Sequence, residues 1–400
     1  MLKLLPSFIF IFLFIDLYSK IRITPNREDR VFHTGETISW QITIDSVEKY
    51  DSLRYAIKPG ALSTLEEGML KVKKGKSNIS YTFDKPGSVI LEIRWGSPDR
   101  WQNRVVDGGI CDPEDFQLSS KRPDDFKEFW SEKIAELEAI PMNSWMQLEP
   151  MEDTSVVYAK VLMDNIRGSK IQAQMAMPNN CEKYPALLIV QWAGVYGLSR
   201  DWVINRAREG WLVLNINPHD LPIDMDPEFY QDKSKNELKN YPALGNEYRD
   251  SSYFLRMYLS CYRGVEFLKQ YPSWNGKTIV VTGDSQGGMQ TIVTAGLHPD
   301  ITAAMALVPA GFDMLGPELD RKGGWPQWYQ QIENKDSSAV REASRYYDAA
   351  NFVPDISCPV LVGVGLLDET CPPQGIIAGM NQIDKQKKMI YLPQSQHQDR

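Results

Sequence analysis

The sequence predicts an α/β protein, with a mostly parallel sheet covered by helices and a small all-β sandwich ahead of it. Three observations carry this reading. Four short apolar runs without polar alternation recur at 186–191, 211–216, 278–282 and 360–364. Strands of that kind are buried on both faces, as in a parallel sheet flanked by helices. Before residue 105 the runs instead alternate with period two, as half-buried strands do. The length of 400 residues leaves room for two to three domains, at about 150 residues each.

Composition narrows the class. Lys+Arg number 44 against 52 Asp+Glu, a net charge of −8, so a nucleic-acid partner is not expected. Gly 27, Pro 25 and 11% aromatics exclude collagen, coiled coil and bulk disorder. Five cysteines are too few for a disulfide scaffold, and the odd count leaves at least one thiol free. Lys3 and the apolar run 4–15, ended by Asp16, have the form of a signal peptide over residues 1–20. That run is shorter than the about 20 residues that span a bilayer. The chain is therefore expected to be secreted or periplasmic. Leu17-Tyr18-Ser19 offers one small residue ahead of Lys20, so retention as an N-terminal anchor is the alternative. No later stretch is long and apolar enough to cross a membrane.

Residues 21–105 read as an immunoglobulin-like β-sandwich, with alternating strands at 37–44, 78–83 and 88–95. Gly35, Pro59-Gly60, Gly75 and Pro86-Gly87 mark the turns between them. Trp40, Trp95 and Trp101 are expected in its core, with a sugar-binding platform as the alternative. Residues 106–121, with Gly108-Gly109, Pro113 and Ser119-Ser120, read as a linker. A helix follows, with Pro123 in its first turn, an apolar stripe of Phe126, Phe129, Trp130, Ile134 and Leu137, and Pro141 as its stop. From about residue 155 strands and helices alternate, so 122–400 is assigned to one α/β domain. Within it, Tyr253, Phe254, Leu255, Tyr258 and the run 265–268 carry a helical pattern.

Gly283-Asp284-Ser285-Gln286-Gly287 is G-x-S-x-G, placed between the strand at 278–282 and a helical stretch at 286–297. That setting is what a nucleophile elbow requires. The first amides of a helix lack intrahelical partners, so Gln286 N–H is free to bind an oxyanion. Four histidines compete for the general base. His33 lies in the sandwich and His219 precedes the elbow, against the order Ser…Asp/Glu…His of α/β-hydrolases. His298 sits at the far end of the elbow helix, about 20 Å away, where it caps the helix. His397 alone fits, in a loop after the strand 389–392. Asp368, ending the strand at 360–364, is the natural orienting carboxylate, with Glu369 as fallback. The second oxyanion donor is expected after the strand 186–191, from Trp192 N–H, with Ala193 as its neighbour. His219-Asp220 line the same edge, as a supporting hydrogen bond or as a substrate contact. No H-E-x-x-H, C-x-x-C or G-x-x-x-x-G-K-[ST] motif is present, and no cofactor is expected.

These residues resemble the acetyl xylan esterase / cephalosporin C deacetylase family, carbohydrate esterase family 7. Its marks run over most of 122–397. They include Asp125-Phe126-Lys127-Glu128-Phe129-Trp130, Val190-Gln191-Trp192, the stretch from Arg256-Met257-Tyr258 to Arg263-Gly264-Val265, the elbow through Gly288, and Asp368-Glu369-Thr370-Cys371-Pro372-Pro373. The resemblance implies hydrolysis of acetyl esters on sugars by a triad of Ser285, His397 and Asp368. It also implies oxyanion donors on Trp192 and Gln286, an acetylated saccharide as substrate, and a possible homo-oligomer. Three features depart from it. The family's Arg-Gly-Gln is replaced around Asn217-Pro218-His219-Asp220, its His-Glu reads His397-Gln398, and the sequence stops at Arg400 where relatives continue into a helix. Either the sequence is a fragment, or the loop carrying His397 is expected to be thinly supported. Two rivals remain at this point: a prolyl-peptidase-like serine hydrolase, and a non-catalytic carbohydrate-binding protein built on a degenerate hydrolase.

Overall fold

A computed structural model describes residues 21–45, 53–97, 100–180, 182–330, 332, 334–383 and 386–398. The expected signal peptide and Cys181 lie outside the described residues. In chain order the N-terminal elements are β1 (Ile21–Pro25), β2 (Val31–Phe32), β3 (Thr37–Ile44), β4 (Leu53–Pro59), β5 (Glu66–Met69), β6 (Lys76–Thr82), β7 (Gly87–Ser97) and β8 (Arg100–Cys111). They form a three-stranded sheet, β1-β3-β6, and a five-stranded sheet, β2-β8-β7-β4-β5. Alternation decides how they pack. β3 buries Ile38, Trp40, Ile42 and Ile44 on one face. Those side chains share a core with Ile57, Val89, Leu91 and Ile93 of the other sheet.

Trp40 is fully buried there, and its Nε1 donates to Asp107 Oδ1 at 2.9 Å. Asp107 in turn pairs with Arg30 at 2.7 Å, both side chains being about 5% exposed or less. Charges taken out of water persist only when paired and hydrogen-bonded. Trp40 is thus core, and half-buried Trp95 packs against the same cluster. The Trp101 side chain is outside the described ones.

Two boundaries differ from expectation. Residues 106–111 are not linker: β8 continues to Cys111 opposite β7. Gly108 sits there because nothing larger fits, since a Cβ would stand 2.3 Å from the Val89 carbonyl oxygen. Helix α1 (Phe126–Glu138) starts after Asp125, so Pro123 lies in the turn before it. The apolar stripe behaves as read, with Phe126, Phe129, Trp130 and Leu137 buried.

After α1 come β9 (Trp145–Glu149), β10 (Val156–Asp164), β11 (Lys170–Pro178), β12 (Tyr184–Ile189), α2 (Asp201–Arg208), β13 (Leu212–Ile216), α3 (Pro227–Lys235) and α4 (Tyr253–Gln270). Then follow β14 (Trp274–Asp284), α5 (Gln286–Leu297), β15 (Ala303–Leu307), α6 (Ser337–Ser344), β16 (Val360–Gly365), α7 (Pro373–Met380) and β17 (Lys387–Leu392). The nine strands order as β17-β16-β15-β14-β12-β13-β11-β10-β9. The six from β17 to β13 are parallel, and β11, β10 and β9 add antiparallel partners. Strict strand–helix alternation therefore starts at β12, not at residue 155. One face is covered by α1, α4, α5 and α7, the other by α2. From β12 the chain passes through α2 to β13 on one side, and from its neighbour β14 through α5 to β15 on the other, so the two connections leave in opposite directions. That opens a crevice at the carboxyl ends of β12 and β14.

The N-terminal sheets dock beside this edge. Ile90 and Val106 pack on Leu367, and Ser88 Oγ donates to Gln374 Oε1 at 3.1 Å. Arg104 pairs with Glu369 and also with Glu92, which binds Lys58 and Arg94 as well. Burial pushes the Glu92 pKa up, but the Arg94 and Lys58 hydrogen bonds and the charges of Lys58 and Arg104 outweigh it and hold it at about 2. A carboxylate depressed in this way stabilises the fold above its unfolded value and loses that contribution as pH falls toward 2. Glu92→Gln should accordingly cost about 1–3 kcal/mol at pH 7. The gap to wild type in thermal melts should more than halve by pH 3. An equal gap at both pH values would refute this assignment.

Candidate active site

β14 runs through Asp284 and α5 begins at Gln286, leaving Ser285 alone in the turn at φ 55°, ψ −118°. A non-glycine residue at positive φ stores about 1–3 kcal/mol of strain and persists only where its surroundings impose it. Three main-chain bonds do so here. Ser285 N donates to Leu307 O at 2.9 Å, while Ser285 O accepts from Met289 N at 3.0 Å and Ala310 N at 2.9 Å. The glycines are required by close approach. A Cβ would stand 2.6 Å from the Val190 carbonyl oxygen at Gly283 and 2.5 Å from it at Gly287.

Ser285 Oγ lies 2.9 Å from His397 Nε2, and His397 Nδ1 lies 2.7 Å from Asp368 Oδ2. The Asp368 side chain is fully buried, and its other oxygen accepts from Thr370 N and Cys371 N, both at 2.8 Å. With a carboxylate oxygen as acceptor, Nδ1 donates and Nε2 is left to accept from the serine hydroxyl. The loop bearing His397 is tied to the end of β16. Leu366 N donates to Leu392 O and Leu367 N to Ser395 O, each at 3.1 Å. A Cβ on Gly365 would stand 2.8 Å from that Ser395 oxygen.

The remaining expected residues separate cleanly. Glu369 faces Arg104 rather than the histidine. His33 pairs with Asp112 among the N-terminal strands. His298 caps α5 and meets Glu266 at 2.9 Å. Asp220 accepts from Lys170 N, toward β11. His219 is buried, 2.6 Å from the Tyr253 hydroxyl and 2.9 Å from Gly194 O. Gln286 and Trp192 sit at the facing ends of β14–α5 and β12, and among the described residues neither main-chain N–H has a protein acceptor. Trp192 is 37% exposed and stacks on Tyr196, with Trp202 edge-on.

Two further polar groups were not singled out by sequence reasoning: Gln290 Nε2, 3.0 Å from Gln191 O, and Tyr241 Oη, 2.5 Å from Gln286 Oε1. A second glutamine four residues past Gln286, in a helix otherwise built of small and apolar residues and two threonines, is the signal that was there to read. Among the described residues two clusters hold three potential metal ligands, Asp368/Cys371/His397 and Glu266/His298/Asp300. Asp368 and His397 in the first, and Glu266, His298 and Asp300 in the second, are engaged with one another or with Lys269. Cys111, Cys261 and Cys358 are buried free thiols, and Cys371 is buried as well.

A family model described as acetyl xylan esterase (AXE1) matches residues 112–400. The acetyl esterase Axe7A of Xylanibacter ruminicola is 29% identical over 380 residues, spanning 93% of this chain and 85% of that protein. Two solved structures share the α/β-hydrolase fold at 20% identity. The acetyl xylan esterase from Paenibacillus sp. R4 aligns with a TM-score of 0.61 over 72% of this chain and 93% of its own. Acetyl xylan esterase 1 from Thermoanaerobacterium sp. JW/SL YS485 aligns at 0.63, over 72% and 92%.

The elbow geometry makes a direct forecast. Gly287→Ala forces the turn off the Val190 carbonyl, costing about 2–4 kcal/mol, within the range of severe overpacking. Thermal melts and kcat should fall together; a variant with wild-type Tm and kcat would contradict the close approach.

Proposed function

The chain belongs to the acetyl xylan esterase family and is a carboxylic ester hydrolase, and on that premise we propose that Ser285, His397 and Asp368 form its catalytic triad. The single observation that carries this is the unbroken hydrogen-bonded line from Ser285 Oγ through His397 to buried Asp368. His397 Nε2 takes the hydroxyl proton as Oγ attacks the acetyl carbonyl carbon. The Gln286 and Trp192 N–H groups receive the negative charge that develops on the carbonyl oxygen. Collapse expels the sugar alkoxide, which regains a proton from His397, and leaves an acetyl-enzyme. Water enters, His397 removes its proton, and a second tetrahedral species releases acetate and restores Ser285. Asp368 holds the ring in the tautomer both steps need and stabilises the imidazolium between them.

The proposed substrate is an acetylated polysaccharide or oligosaccharide such as acetylated xylan, met outside the cytoplasm after export directed by residues 1–20. The exposed face of Trp192, backed by Tyr196 and Trp202, supports a saccharide, because sugar rings present apolar faces to aromatic ones. The sheets β1–β8 form an immunoglobulin-like domain on this reading, appended to a catalytic domain that begins near residue 122.

The test is acetate release from acetylated xylan and from an aryl acetate. Ser285→Ala should lower kcat by about 10⁴–10⁶-fold on both, and Asp368→Asn by about 10⁴-fold with KM nearly unchanged. Turnover that survives in Ser285→Ala would end the proposal.

A further inference from the structure

An oxyanion site works only if its donors converge on one point. Gln286 N–H is fixed by α5, but Trp192 N–H sits on a loop. A trans peptide directs its C=O and N–H to opposite sides, so whatever grips the Gln191 carbonyl also aims the Trp192 N–H. Two buried amides from α5 grip it, Gln290 Nε2 at 3.0 Å and Gln286 Nε2 at 3.3 Å. The Gln286 side chain is steered in turn by the Tyr241 hydroxyl, which donates to Oε1.

His219 holds the other side of the same loop. The Gly194 carbonyl can only accept, so His219 Nε2 carries the proton and Nδ1 accepts from the Tyr253 hydroxyl. Arg256 donates to that hydroxyl oxygen, which leaves the hydroxyl's own proton for Nδ1. Burial lowers the His219 pKa to about 4, so near neutral pH the ring is in the uncharged form this pattern needs.

We propose that Gln290 and His219 are positioning residues that set the oxyanion geometry by holding the loop around Trp192, Gln290 at the Gln191–Trp192 peptide and His219 at the Gly194–Val195 peptide. This rests on the triad and donors proposed above. Each side chain acts through the main chain and touches no substrate.

The experiment measures kcat and KM on an aryl acetate, the melting temperature, and affinity for a small alkylboronic acid. Ser285 Oγ adds to boron as its proton passes to His397, and the tetrahedral adduct places a boron-bound oxygen where the oxyanion forms. Gln290→Met and His219→Leu should each lower kcat about 10–100-fold, with KM within about twofold. Boronate affinity should fall by a similar factor. His219→Gln keeps a donor for Gly194 and should recover most of the loss.

Unchanged kcat in a folded variant, a rise in KM alone, or equal losses in His219→Leu and His219→Gln would each overturn the proposal. If His219→Leu does not fold, the boronate affinity of Gln290→Met decides. Ser285→Ala run alongside separates the cases, since its retained turnover would mean that the triad reading, and not merely the clamp, has failed.

Discussion

Val190's carbonyl oxygen stands where side chains at 283 and 287 would otherwise be, and the geometry of the site descends from that approach. β12 and β14 are parallel neighbours, with Ile189 opposite Thr282, so both chains leave the sheet at the same level. Only glycines on either side of Ser285 let the turn come in beneath the β12 exit. Once it does, α5 starts beside residues 191–194, and its glutamines reach the Gln191 carbonyl. The strain at Ser285 is sustained by bonds to β15 and to the segment after it. Ser285, residues 191–194 and the start of α5 are thus fixed by one piece of close packing.

Much of this is legible in the sequence wherever the signal is local. The alternation over 37–44 marks β3 with its observed ends, because a half-buried strand writes its period directly into residue choice. G-x-S-x-G marks the elbow because sterics there admit nothing larger. With only four histidines, chain order isolates His397 and strand position isolates Asp368. What escapes is set by partners far away in sequence. Gly108-Gly109 reads as linker because the Val89 carbonyl opposite it is invisible in the chain. β9, β10 and β11 go unmarked, since antiparallel pairing depends on neighbours rather than on an apolar run. The settings of Gln290, Tyr241 and His219 depend on which distant group each side chain meets.

The acid of the proposed triad has a double setting. On one side its carboxylate is held by the Thr370 and Cys371 amides and by the His397 ring. On the other, Leu367 and Glu369, the residues flanking it, face the N-terminal sheets through Ile90, Val106 and Arg104. The histidine loop is laced to the same segment by the Leu366 and Leu367 amides. Asp368 and His397 therefore share a support that neither β16 nor β17 supplies alone.

That shared support bears on what counts as the smallest working piece of this chain. The family match starts at residue 112, just past β8, which invites cutting there. Such a cut would remove Ile90 and Val106 from Leu367, Ser88 from Gln374 and Arg104 from Glu369. It would leave an apolar side chain and an acid facing water next to Asp368. The boundary drawn by sequence similarity and the boundary drawn by burial do not coincide. An excised fragment of residues 112–400 would be an enzyme with one wall of the loop that bears Asp368 missing.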